Sequence, residues 1–221
     1  MYEQFRETAM EAARLAGNEA LQRWRDPHDT QSKGLRDIVT AADIAAERAA
    51  VDLILSNYPN HAILAEEGGE SAGDSRTSEF QWIIDPIDGT TSFVHGLPGW
   101  CVSIGYLKDG VPVAGAVYSP IWDELFIADN SGSGWASHNN QPLRPVHDPG
   151  PIGTSSSIII DSKIQRIIDS TFPGKIRSYG STALHLCLAA RGTVPYVQTH
   201  RVHLWDLAGG IAVLNAVGMD V

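Results

Sequence analysis

The chain has 221 residues, 43% hydrophobic and 19% charged, a soluble globular balance with room for one large domain or two lobes sharing a core. A formal net charge of -10 argues against a nucleic-acid backbone or an anionic membrane as the main partner, but allows a small anionic substrate if metal ions supply positive charge locally. No apolar run reaches the roughly 18 residues of a membrane span, and the N-terminus lacks the apolar stretch of a signal peptide, so a cytoplasmic protein is expected.

Residues 2 to about 25 place Phe5, Ala9, Ala12, Ala16, Ala20 and Trp24 at three- and four-residue spacing, which predicts an amphipathic helix stopped by "DPHD". Residues 28 to 37 read as a polar loop. A second helix is expected from Thr40 to Pro59, opened by a capping-box-like pair with Asp43. Strand-like segments follow: "HAILAE", "FQWIID", "CVSIGYL", "VPVAGAVY" and "ELFIAD", with "KDG" as a hairpin turn and "SGSG" and "SHNNQP" as turn material. This part predicts two helices and a largely antiparallel sheet.

From about residue 150 strand and helix patterns alternate. "SSSIII", "KIRSY" and "VPYVQT" read as strands, and "DSKIQRIIDSTF", "STALHLCLAARG" and "WDLAGGIAVLNAVG" as helices. The expected organisation is an α+β lobe over 1–150 and an α/β lobe over 151–221, linked by "HDPGPIG" at 147–153. The final "GMDV" reads as the opening of another strand, so a further C-terminal piece is expected in the natural protein. Cys101 and Cys187 each lie in an apolar run and read as buried free thiols.

The chemistry concentrates in carboxylates. Glu66 and Glu67 follow the apolar "AIL"; Asp85 and Asp88 follow "WII"; Asp206 follows Trp205 and opens an apolar helix; Asp43 sits in a first helical turn. Asp43 and Asp206 also fit as plain helix-start acids that favour the positive end of the dipole, and Glu66 and Glu67 as a solvated strand end. Asp85 and Asp88 are harder to dismiss, because Pro86 and Gly89 fix a tight turn that aims both the same way. Convergence of Glu66, Asp85, Asp88 and Asp206 would gather so much negative charge that some would be protonated without cations. All-oxygen sites of this kind suit Mg²⁺, and two ions about 4 Å apart can clamp both oxygens of an in-line displacement. The "GTT" after Asp88 then offers backbone N–H groups to a phosphate.

"DPIDGTTSFVHGLP" resembles the signature of the inositol monophosphatase-like family, which are Mg²⁺-dependent, lithium-sensitive phosphatases. "KGLRDIVTAAD" at 33–43, "ILAEEGG" at 63–69 and "WDLAGG" at 205–210 match further blocks of that family in the same order. The resemblance implies a layered αβαβα sandwich of the sugar-phosphatase type, with its C-terminal part incomplete here, a homodimer, and hydrolysis of a small phosphorylated metabolite by metal-activated water. It places Glu66, Asp85 and the Ile87 carbonyl on a first Mg²⁺, Asp85, Asp88 and Asp206 on a second, and Glu66 with waters on a weaker third. Thr90, paired with Asp43, would orient the nucleophilic water, and Gly89 and Thr90 would donate N–H groups to the phosphate. Lys33 matches a loop lysine near the metals, and Thr199 and His203 fall where the substrate pocket is expected.

Two departures from the family pattern stand out. Ser92 replaces a common Asn, and Thr199 replaces the Glu that inositol-preferring members carry seven residues before the last metal Asp. The second weakens inositol phosphate as the preferred substrate and leaves histidinol phosphate, fructose-1,6-bisphosphate and other sugar or polyol phosphates open. Thr91, where nucleotide 3′-phosphatases of the superfamily carry Lys, disfavours those substrates. Two rival readings are a transition-metal site built on His200, His203 and Asp206, and an inactive binding or regulatory protein on the same scaffold.

Overall fold

A computed structural model describes residues 2–25, 30–34, 37–71, 78–132, 134–144, 150–161 and 171–219. Helices α1 (Glu3–Arg23) and α2 (Ala41–Asn57) pack together over one face of an eight-stranded sheet. That sheet has the order β10-β9-β8-β7-β6-β5-β3-β4, from β3 (Ala62–Ala65), β4 (Gly69–Ser71), β5 (Phe80–Asp88), β6 (Cys101–Lys108), β7 (Val111–Ser119), β8 (Glu124–Asp129), β9 (Trp135–His138) and β10 (Gln141–Pro142). Every pairing is antiparallel except β3 with β5. The α1 and α2 faces that meet the sheet are built mostly of alanine, including Ala9, Ala12, Ala13, Ala16, Ala46 and Ala50, which lets helix backbones approach each other and the strands closely.

Helices α4 (Thr182–Ala190) and α5 (Leu204–Ala216) cover the opposite face. Behind them lies a parallel sheet of order β12-β11-β13, from β11 (Ser157–Ile160), β12 (Lys175–Arg177) and β13 (Val197–Gln198). Strand β11 shows why "SSSIII" is apolar throughout. Ile159 joins the core under α4 and α5, while Ile158 and Ile160 face a second cluster with Ile152, Phe172 and Ile176. A strand buried on both faces cannot alternate with polar residues. The layers run helix, sheet, helix, sheet, consistent with the expected αβαβα sandwich. The helix expected over 161–172 falls mostly on 162–170, outside the described residues, as do 147–149 of the expected linker.

Two local expectations need correction, and the turn expected at "SHNNQP" is observed and gains flanking strands. The "polar loop" at 28–37 contains a hairpin of β1 (Thr30–Gly34) and β2 (Asp37–Thr40), whose main-chain pairing a polar sequence does not prevent. "SHNNQP" is the tip of the β9–β10 hairpin: Asn139 and Asn140 both take positive φ, as a tight two-residue turn demands. "FQWIID" does not end at Asp85, because β5 continues to Asp88 through a bulge. The "KDG" turn is observed as expected, with Asp109 and Gly110 at positive φ.

Candidate active site

The bulge in β5 explains how acids three residues apart come to face one way. In a regular strand side chains alternate, so residues 85 and 88 would point to opposite faces. Here Asp85 pairs with Ser103 and Asp88 with Cys101, so three steps along β5 match two along β6. The extra residue restores a common face. Pro86, which has no N–H to give a ladder, is tolerated at this irregularity, and the Ile87 N–H donates to Asp85 Oδ1 at 3.0 Å, closing it. Gly89 follows at φ 99°, a left-handed conformation costly for any other residue, and opens the short helix α3 (Thr90–Val94).

Helix α5 delivers the third acid. Its "LAGG" stretch lies on the middle of the sheet: a Cβ on Gly105 would stand 2.5 Å from the Ala208 side chain, and one on Gly209 2.7 Å from Ser103 Oγ. Small residues on both sides set this approach and bring the first turn of α5 to the end of β5. Ligand atoms of Asp85, Asp88 and Asp206 lie within 4.8 Å of one another. Asp85 and Asp88 are 1% and 7% exposed, so the cluster is largely withdrawn from water.

Asp88 is tied to the start of α4. Its Oδ2 accepts from Ser181 Oγ at 2.7 Å and from the Ala183 N–H at 2.6 Å, while Ser181 Oγ also accepts from the Leu184 N–H as the helix cap. Asp206 Oδ2 accepts from the His203 N–H at 2.7 Å. Asp43 repeats this arrangement at α2, where its Oδ2 accepts from the Thr40 N–H and hydroxyl at 2.8 and 2.6 Å. Asp43 Oδ1 is buried with no hydrogen-bond partner. Both helix-start acids therefore cap their helices with one oxygen, and the capping and site readings coexist.

The acids of the site raise one another's pKa. Burial pushes the Asp85 carboxyl well above the ordinary range, and the nearby charges of Glu66, Asp88, Asp206 and Asp43 all push it the same way. Asp88 is raised to about 7 by burial and then by Asp206, against the opposing hydrogen bonds from Ser181 and Ala183. Asp43 is raised to about 6, chiefly by burial. Among the described residues no basic side chain forms an ion pair with Asp85, Asp88 or Asp206. A largely buried, all-oxygen cluster fits a hard divalent cation.

Other expected site residues fall as follows. Glu66 lies outside the tight cluster, on the turn after β3, close enough to act on Asp85. The Thr90 hydroxyl donates to the Ile87 carbonyl at 3.1 Å instead of to Asp43. Thr199 is half-buried just after β13; His203 is exposed at the start of α5, with its ring stacked on Trp205. The side chain of Lys33, on β1, is outside the described residues. Neither His200 nor His203 joins the acidic cluster, so the transition-metal reading gains no support. Sequence reading missed the roles of Ser181 and Glu47. Glu47 lies one turn beyond Asp43, and its signal was a second acid at four-residue spacing on an alanine-rich buried face.

The family model for the inositol monophosphatase family matches residues 1–221. The chain belongs to that family. It is 37% identical to Nus factor SuhB of Pasteurella multocida, over 95% of this chain and 81% of the relative. It is 34% identical to inositol monophosphatase 3 of Solanum lycopersicum, over 98% and 84% of the two chains. It is also 34% identical to a fructose-1,6-bisphosphatase/inositol-1-monophosphatase of Thermotoga maritima, over 93% and 79%. The crystal structure of the SuhB protein of Bartonella henselae superposes with a TM-score of 0.84 at 30% identity, covering 96% of this chain and 84% of that one. Families of this kind are metal-dependent, in keeping with the acidic triad.

Proposed function

We propose that this protein hydrolyses a small phosphate monoester, with inositol monophosphate or a related polyol or sugar phosphate as substrate and Mg²⁺ as the metal. The observation that carries the reading is the convergence of Asp85, Asp88 and Asp206 within 4.8 Å, where the charges of Glu66, Asp88, Asp206 and Asp43 all raise the Asp85 carboxyl. These three, with Glu66 and the Ile87 carbonyl, would hold two or three ions. Divalent ions there withdraw charge from phosphoryl oxygens and make water nucleophilic at neutral pH.

The remaining work falls to the chain. Thr90 and Asp43 orient the attacking water. Asp43 Oδ1, unpartnered and on a carboxyl raised to about 6, would accept its proton. The Gly89 and Thr90 N–H groups steady the phosphate. The water oxygen bonds to phosphorus as the ester P–O bond breaks; the departing alkoxide takes a proton from solvent water, and Asp43 returns the one it accepted to solvent. Lys33, Thr199 and His203 belong to the substrate side. A homodimer and a cytoplasmic location go with this proposal by family resemblance.

A second reading rests on the name Nus factor carried by the Pasteurella relative. On that reading the scaffold serves as a binding or regulatory protein, with or without catalysis. The deciding experiment is phosphate release from inositol 1-phosphate, fructose-1,6-bisphosphate, histidinol phosphate and glycerol 2-phosphate. Mg²⁺-dependent, lithium-inhibited release from at least one of them is expected. No release from any of them would overturn the enzyme reading and favour the binding one.

A further inference from the structure

We infer that Glu47 is a positioning residue that sets the metal ligand Glu66 by holding the turn on which it sits. The inference rests on the reading of Glu66 as a metal ligand.

Glu47 lies four residues after Asp43 on α2, hence on the same face of the helix. It is 6% exposed, on a face it shares with Asp43 and that is otherwise made of Ala42, Ala46, Ala50 and Ile54. A carboxylate in such a place needs a partner. Strands β3 and β4 form a hairpin whose last pair is Ala65 with Gly69, so Glu66, Glu67 and Gly68 make up its entire turn. The sheet holds the start of that turn, where the Glu66 N–H donates to the Ile84 carbonyl at 3.2 Å. Glu47 holds its middle: Oε2 accepts from the Glu67 N–H at 2.7 Å.

The third residue of the turn is shaped to the same carboxylate. A Cβ on Gly68 would lie 2.7 Å from Glu47 Oε1, so the glycine admits the acid against the loop. One helix face thus serves two parts of the site: Asp43 directly, and Glu66 through the main chain of its neighbour. Supporting contacts of this sort fix the direction of a ligand and affect metal affinity by about 10–100-fold.

The test is calorimetric titration of Mg²⁺ into the full chain freed of metal by chelator, on wild type, Glu66→Gln, Glu47→Ala, Glu47→Gln and Gly68→Ala, with kcat measured at saturating Mg²⁺. Glu47→Ala should weaken Mg²⁺ binding about 10-fold or more, with much of kcat recovered at high Mg²⁺. Glu47→Gln keeps an oxygen for the Glu67 N–H and should stay within a few-fold of wild type. Gly68→Ala crowds the Glu47 carboxylate without deleting it and should weaken Mg²⁺ binding in the same direction as Glu47→Ala by a smaller factor, which keeps the test valid should Glu47→Ala fail to fold. If Glu66→Gln weakens binding while neither Glu47→Ala nor Gly68→Ala does, the inference is overturned and the metal reading stands. Equal loss in Glu47→Gln and Glu47→Ala also overturns it, because charge and not the hydrogen bond would then matter. If wild type binds no Mg²⁺, or Glu66→Gln binds as wild type does, the metal reading falls and the inference with it.

Discussion

Asp88→Asn separates the structural duty of this residue from its proposed metal duty. The amide oxygen can still accept from Ser181 Oγ and the Ala183 N–H, the two donors now 2.7 and 2.6 Å from Oδ2. What is lost is an anion. In the metal-free fold that anion is a burden, since burial and Asp206 raise the Asp88 carboxyl from 3.8 to about 7. A carboxyl whose folded pKa lies above its unfolded value binds its proton better in the fold. Stability is therefore full below the unfolded pKa and declines as pH rises through the folded one. At pH 8 without cations the penalty is on the order of 4 kcal/mol. The variant in chelator at pH 8 should unfold at higher denaturant than wild type, whereas added Mg²⁺ should stabilise the wild type strongly and the variant little. Its kcat should fall well over tenfold, since such ligand losses cost several kcal/mol of transition-state stabilisation. The assays are denaturant melts with and without Mg²⁺, and turnover. Near-wild-type turnover at moderate Mg²⁺ would refute the assignment, and a chelated variant less stable than wild type would show the carboxylate to be structural.

Other expectations can be checked separately. Thr90→Ala should lower kcat more than it raises KM, whereas Ser92→Ala, at a buried side chain packed against Gly180, should change turnover little; the reverse order would misplace the attacking water. In chelator, stability should fall as pH rises from 3.8 to about 6 because Asp43 resists ionisation there, and Asp43→Asn should remove a slope worth on the order of 3 kcal/mol in denaturant melts; an unchanged difference between the two proteins would contradict this. Thr199→Glu should raise kcat/KM for inositol phosphate relative to glycerol 2-phosphate by about tenfold, the difference between a charge-assisted and a neutral hydrogen bond. An unchanged ratio would mean that Thr199 does not face the substrate.

Much of the fold was legible because its signals are local. The alanine spacing of α1, the Thr40–Asp43 cap of α2 and the Asp109-Gly110 turn each depend on a few adjacent residues. The turn in "SHNNQP" was legible too, but its short polar flanks carry no alternation to show that they pair as β9 and β10. The β5 bulge was beyond reach for a different reason. Its extra residue is defined by pairing with Ser103 and Cys101, a relation between strands that no spacing along one strand contains. The acids of the site were visible as residue types, and the family motifs gave their grouping. Their supports were not visible, because each acts on a residue distant in sequence: the Ser181 hydroxyl donates to the Asp88 carboxylate, and Glu47 accepts from the Glu67 N–H.

The central claim is that the Asp85, Asp88 and Asp206 cluster binds divalent metal for phosphate ester hydrolysis. The most direct measurement is the rate of phosphate release by chelator-treated protein as Mg²⁺ is titrated back. No release is expected in excess chelator, and the rate should rise with Mg²⁺ and saturate. Full release in excess chelator would contradict it.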